Sequence, residues 1–144
     1  FQVDVDSARR VLAASTPTLV PIAVTAETAL RGADLERLRT GGPVARIIAR
    51  QAEAFAIDEN LAARYLPDCS ALPADFINFQ HDPLAVAIAL GWDDGLQVEE
   101  VRLRNTIEEG WLVQTPSPEG DLVRLVTRID SPAFDHLWLD AVAP

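Results

Sequence analysis

The residues with the clearest capacity for chemistry are a histidine and an aspartate that stand side by side, His81 and Asp82, in the stretch QHDPLAVAIAL. A carboxylate is a good ligand for a hard divalent cation, and an imidazole can move a proton near neutral pH. The same residues also fit an ordinary helix start, because an aspartate before Pro83 can cap the free amide groups of a helix. The pair alone leaves both interpretations open.

The upstream elements that must position this pair are predicted from apolar runs and turn residues. TLVPIAV, residues 18–24, contains several β-branched residues and predicts a buried strand. Pro21 interrupts that strand, because proline lacks a backbone donor for the sheet. Thr25 is then a suitable cap for a short helical turn near residues 26–30.

A longer helix is predicted to start at Pro43, since proline suits the first turn of a helix. The two glycines before it would end a shorter helix. Four apolar residues recur at helical spacing in the longer helix, and we expect that face to be buried. These residues are Val44, Ile47, Ile48 and Phe55.

The last third of the chain changes to an alternating pattern. VRLRNTI and WLVQT flank the turn signal EEG at 108–110 and predict a β-hairpin. LVRLVTRI alternates again and predicts a further strand. Ser131 followed by Pro132 predicts a final helix. Its expected core stripe is Phe134, Leu137, Trp138 and Ala141.

The composition of the 144-residue chain restricts the classes of function. With 22 acidic and 12 basic residues the net charge is −10, which argues against nucleic-acid binding and is compatible with a small neutral or cationic ligand or a divalent metal. No apolar run approaches the roughly 20 residues that a bilayer requires, so we expect no membrane span. Cys69 is alone and cannot form an internal disulfide, which favours a reducing compartment and a cytoplasmic location.

The size of the chain fits a single domain, or part of one, over residues 1–144. The sequence contains no methionine and opens on Phe1. We therefore expect the chain to be a piece of a longer one.

Several stretches, in their order along the chain, resemble the C-terminal half of the inosine–uridine-preferring nucleoside hydrolases. HDPLAVA resembles the His-Asp-Pro-Leu-Ala-Val-Ala motif of that family. The other stretches are FQVDVDSARRVL, TLVPIAVT, LRGADLERLRTGGPVA and LVRLVTRIDSPAFDHLWLDAV.

The resemblance implies hydrolysis of the N-glycosidic bond of a ribonucleoside, which gives ribose and a free base. It also implies a calcium ion, with Asp82 as a ligand and His81 as the residue that serves the leaving base. Gln2 stands where the family has an asparagine that contacts ribose. Tyr65 lies in the helical region that contributes to base recognition, where it can stack on a base or simply pack within the protein.

The implied fold is α/β, part of an open mixed sheet with helices on both faces, together with a β-hairpin and a C-terminal helix. The Asp-rich N-terminal motif of the family, with the catalytic base and further calcium ligands, has no counterpart here. We therefore expect the isolated chain to be inactive and to need a partner, either the missing N-terminal half or a second copy of itself. The alternative is a non-catalytic hydrolase-like fragment that acts as a binding or assembly module.

Overall fold

The computed structural model describes residues 1–69 and 72–144. The chain forms two compact units. One comprises Phe1–Pro21 and Leu96–Arg128, and the other comprises Ile22–Gly95 and Ile129–Pro144. The expectation of one domain, or part of one, over the whole chain stays a prediction.

Helices and strands alternate irregularly along the described residues. The helices are α1 (Val5–Ala14), α2 (Ile22–Thr25), α3 (Leu35–Thr40), α4 (Pro43–Asp58), α5 (Leu61–Tyr65), α6 (His81–Ala89) and α7 (Ser131–Val142). The strands are β1 (Thr18–Leu19), β2 (Ala29–Arg31), β3 (Phe76–Phe79), β4 (Gln97–Glu108), β5 (Trp111–Pro116) and β6 (Asp121–Arg128). In the part of the chain that the structure describes, none of these helices has the length and apolar character to cross a membrane.

The first unit is built on a four-stranded mixed sheet in the order β1-β6-β4-β5. β1 runs parallel to β6, whereas β6 and β5 each run antiparallel to β4. The predicted hairpin joins β4 to β5 through Glu109 and Gly110, whose φ angles are 50° and 84°. Two successive positive φ angles give a turn whose twist matches that of the flanking strands. The core between α1 and the sheet is formed by Leu12, Leu103, Leu112 and Val123.

The second unit is mainly helical and carries a two-stranded antiparallel sheet, β2-β3. Its larger core cluster joins α3, α4, β2 and α7, and a smaller cluster forms around Ala29, Leu61 and Phe76. The predicted C-terminal helix begins where expected, because the Asp130 carboxylate accepts the backbone N–H of Ala133 at 3.0 Å. The α/β class, with an open mixed sheet, a hairpin and a C-terminal helix, is confirmed.

The region around Pro21 differs from the prediction. Only Thr18–Leu19 is a strand, and the chain then enters α2 directly after the proline. A proline at a helix start needs no donor, so the apolar run is divided between a short strand and a helical turn. Thr25 ends α2 instead of capping a following helix, and residues 29–31 form β2.

The buried face of α4 also differs from the prediction. The large side chains Val44, Ile47 and Phe55 are between 48% and 64% exposed, whereas Ile48, the fourth predicted residue, is partly buried and packs against the core. The buried residues are the small ones, Ala45, Ala49 and Ala52, which recur every three to four residues on another face. A stripe of alanines lets α4 approach its neighbours closely. In α7 the prediction holds for Phe134, which is fully buried, and in part for Trp138, which packs half-buried against the core. Leu137 and Ala141 are exposed, and Leu139 is buried instead.

Candidate functional site

The pair His81–Asp82 lies at the start of α6, and one residue separates it from the end of β3. Gln80 connects the two elements, and its backbone N–H donates to the carbonyl of Thr28 at 3.4 Å. The helix begins at His81, so Asp82 lies within its first turn and does not cap it from outside. An ordinary capping role for Asp82, with the helix starting at Pro83, is therefore wrong. The electropositive N-terminus of the helix still favours a negative charge at this position.

The two neighbouring side chains have different surroundings. His81 is half-buried, whereas Asp82 is exposed. Among residues 1–69 and 72–144, the Asp82 carboxylate makes no hydrogen bond and no ion pair, so its oxygens are free to bind a ligand.

The imidazole of His81 is fixed by two contacts. Its Nδ1 lies 2.6 Å from the hydroxyl oxygen of Thr25, and its ring stacks on Phe79 with centroids 5.0 Å apart and an interplanar angle of 18°. Tyr65 meets Phe79 edge-on, with a centroid distance of 5.1 Å. The three rings form a continuous aromatic wall. Burial lowers the pKa of His81 below its ordinary value, and the negative charge of Asp82 acts in the opposite direction.

His81 borders two adjoining cavities of the second unit. The larger has a volume of ≈ 780 Å³, and Tyr65 and Phe79 also line it. Its acidic side chains are Glu27 and Asp68. The smaller cavity, ≈ 510 Å³, is lined by both His81 and Asp82. Volumes of about 300–1,000 Å³ are typical of small-molecule sites, so either cavity can hold a ligand of that size.

The structure brings three of the four predicted site residues into one unit. His81 and Asp82 are consecutive, and Tyr65 lines the larger cavity with His81. Part of the Tyr65 ring is engaged in packing against Phe79, and the guanidinium of Arg64 lies 5.5 Å from its centroid. The Tyr65 ring therefore both packs against Phe79 and lines the larger cavity.

Gln2, the fourth predicted residue, belongs to the first unit. Its side-chain amide donates to the carbonyl of Leu112 at 3.3 Å and accepts the backbone N–H of the same residue at 2.9 Å. Both ends of the amide are thus engaged with strand β5. Contact of Gln2 with ribose stays a prediction.

A metal centre within this chain would need several ligands close together. Across residues 1–69 and 72–144, no three histidine, cysteine, aspartate or glutamate side chains are grouped as a metal ion requires. Calcium takes about six to eight oxygen ligands. Asp82 can supply part of such a set, but the described residues alone do not complete it.

Thr25 and Phe79 contact His81 directly, and sequence reasoning assigned neither of them to the site. Phe79 is the last residue of β3 and lies two positions before His81. An aromatic residue so close to the His-Asp pair is a weak sequence signal for a site residue. Thr25 is 56 residues away in the chain, so no local spacing could connect the two.

Comparison with solved structures identifies a nucleoside hydrolase as a structural neighbour. The structure of the plant nucleoside hydrolase PpNRh1 matches with a TM-score of 0.75 and 15% sequence identity. The match covers 99% of this chain but 46% of the plant chain, so this chain spans less than half the length of that enzyme. No protein-family model matches the sequence, and no curated protein matches it significantly. At this identity the likeness shows a nucleoside hydrolase-like fold.

Proposed function

We propose that this chain supplies the C-terminal part of the active site of a hydrolase that cleaves the N-glycosidic bond of ribonucleosides. The observation that carries the proposal is the arrangement at the start of α6: His81 is held beside a cavity, and the adjacent Asp82 carboxylate is exposed, with no hydrogen bond or ion pair to the described residues. The fold of the structural neighbour supports the proposal, because that neighbour is a nucleoside hydrolase.

His81 is the proposed proton donor to the leaving base. Glycoside cleavage passes through a transition state with oxocarbenium character, and the departing base is a better leaving group when a proton reaches it. Burial lowers the pKa of His81, so the protonated form gives up its proton readily. Proton donation weakens as the pH rises through that pKa, since only the protonated ring can donate in this way.

Asp82 is the proposed ligand of a calcium ion. A bound calcium would lower the pKa of the attacking water and hold ribose hydroxyls. The Asp82 carboxylate fits one position of such a coordination shell, and the other protein ligands are proposed to come from another polypeptide segment, because residues 1–69 and 72–144 hold no group of three suitable side chains. The isolated 144-residue chain is therefore expected to be inactive.

The test is ribose release from inosine, uridine and cytidine by the natural protein that contains this sequence, with and without a calcium chelator. Release that stops on chelation supports the proposal. No release from any of the three nucleosides overturns it for these substrates. Chelator-sensitive hydrolysis by the 144-residue chain alone would contradict the need for outside ligands.

A second candidate is a non-catalytic binding or assembly module, and a specific observation favours it. Large apolar side chains of the second unit are exposed on α4 and α6, among them Phe55, Val86 and Leu90. Exposed apolar patches of this kind often mark a surface that binds another polypeptide. The proposed partner is the remaining part of the hydrolase fold or a second copy of this chain. A complete assembly that binds nucleosides but releases no ribose would favour this candidate over the enzyme.

A further inference from the structure

We propose that Thr25 is the positioning residue that fixes the tautomer of His81, so that the neutral ring carries its hydrogen on Nδ1 and presents the lone pair of Nε2 to a ligand. The tautomer is inferred from the two contacts of the Thr25 hydroxyl group. Its role in proton donation to the leaving base rests on the proposed function.

The hydroxyl group of Thr25 has two neighbours and one hydrogen. Its oxygen lies 3.2 Å from the carbonyl oxygen of Ile22 and 2.6 Å from Nδ1 of His81. A carbonyl oxygen can only accept, so the contact with Ile22 is a hydrogen bond only if the hydroxyl donates to it. The contact with His81 is then a hydrogen bond only if Nδ1 donates. Both contacts are satisfied together by one tautomer, with hydrogen on Nδ1.

The backbone around Thr25 supports this geometry. Thr25 is 4% exposed, and its own carbonyl accepts the hydroxyl of Thr28 at 2.8 Å. The carbonyl of Thr28 in turn accepts the backbone N–H of Gln80, the residue before His81. The segment after α2 is thus joined to the residue before α6 by one backbone hydrogen bond, next to the contact between Thr25 and His81.

The consequence for chemistry concerns Nε2. With hydrogen on Nδ1, the neutral ring presents a lone pair at Nε2, and the protonated ring presents an N–H there. In the part of the chain described, no side chain or backbone group hydrogen-bonds Nε2. Stacking on Phe79 fixes the plane of the ring, so the direction in which Nε2 points is also fixed. Because Nδ1 is in contact with Thr25, Nε2 is the ring nitrogen that remains for a ligand.

The experiment is nitrogen-15 NMR of the chain labelled at histidine, at a pH where both histidines are neutral. The chain has two histidines, and His136 serves as an internal control. We expect a pyrrole-type shift at Nδ1 and a pyridine-type shift at Nε2 of His81 in the wild type and in Thr25→Ser. In Thr25→Val we expect hydrogen to move to Nε2, with His136 unchanged throughout.

Hydrogen on Nε2 of His81 in the wild type, or retention of hydrogen on Nδ1 in a folded Thr25→Val variant, overturns the inference. The wild-type measurement needs no substitution, so the inference remains testable if Thr25→Val does not fold. It also needs no turnover, so a failure of the proposed function leaves this result intact. If ribose release is found, Thr25→Val should lower kcat roughly 10- to 100-fold with a smaller effect on KM, and Thr25→Ser should restore it.

Discussion

At the scale of the residue, the same chemical group behaves differently according to its surroundings. Asp82 is exposed at the start of a helix, whereas Asp135 on α7 is half-buried, and its Oδ1 has no hydrogen-bond partner among the described residues. Burial raises the pKa of Asp135 to about 6, and the nearby Asp34 carboxylate adds to the effect. Asp75 shows the opposite case. The backbone N–H of Ala33 donates to its carboxylate, and this hydrogen bond lowers the pKa of Asp75.

Asp135→Asn should stabilise the protein at neutral pH. A carboxyl whose pKa is raised in the folded state stabilises it at low pH, and that contribution is lost as the pH rises from about 4 to 6. We expect a gain of about 1 kcal/mol in the free energy of unfolding at pH 7.5, after allowance for solvent screening of a half-buried group, and none near pH 3.5. Urea denaturation at the two pH values measures it.

Asp75→Asn is the matched control, because the pKa of Asp75 is lowered in the folded state. Its ionised form stabilises the protein above the unfolded pKa, and this contribution is lost as the pH falls. The substitution should therefore destabilise the protein at pH 7.5. A stability change of the same sign and pH dependence in both variants would contradict the assignment of opposite environments to these two carboxyls.

At the scale of the element, α4 shows how a helix can offer two apolar faces. Ile47 and Phe55 belong to the face with larger side chains, yet Ala45, Ala49 and Ala52 are the residues that pack against the core. Helical periodicity identifies both faces, and side-chain hydrophobicity favours the larger one. The distance at which neighbouring elements approach decides between them, and that distance is a tertiary property.

Ala49→Leu and Ile47→Ala test which face of α4 is buried. Ala49 is 0% exposed, so the added carbons have no space and should lower the free energy of unfolding by about 1–3 kcal/mol. Ile47 is mostly exposed, so its truncation should change that quantity by about 0.5 kcal/mol or less. Denaturation of both variants under one set of conditions gives the comparison. A larger loss for Ile47→Ala than for Ala49→Leu would reverse the assignment of faces.

At the scale of the whole molecule, the predictable parts are those specified by local signals. Pro43 starts α4, Ser131 and Pro132 start α7, and Glu109–Gly110 closes the hairpin, because these positions carry local backbone preferences. The prediction for residues 18–31, a strand over 18–24 and a helical turn near 26–30, was wrong. The structure divides these residues into β1, α2 and β2, because strand partners distant in sequence select among locally acceptable states. β2, for example, pairs with β3.

The candidate site also has one part that the sequence predicts and another part that only the fold reveals. His81 and Asp82 are predicted as site residues because they are adjacent in a stretch that resembles a family motif, and their roles stay a prediction. The contact of Thr25 with His81 could not be predicted, because it joins residues on α2 and α6 that only the fold brings together. The role of Asp82 as a metal ligand stays a prediction, since the described residues hold no complete ligand set.

The exposed apolar residues of the second unit predict association of the isolated chain. Val86 and Leu90 lie on α6 with 56% and 83% of their surfaces exposed. A net charge of −10 opposes self-association, and salt screens that repulsion. In sedimentation experiments we expect concentration-dependent association that strengthens with salt and is reduced by the double substitution Val86→Gln and Leu90→Gln. A wild-type chain that stays monomeric at all concentrations and salt levels would contradict this expectation.

We propose that His81 and Asp82 perform different tasks at one nucleoside site, and steady-state ribose release by the natural protein measures both tasks. His81→Ala should lower kcat by about 10²- to 10⁴-fold at an unchanged calcium requirement. Asp82→Asn should raise the calcium concentration needed for half-maximal activity by roughly tenfold or more. Wild-type activity and an unchanged calcium requirement in both variants would contradict the claim.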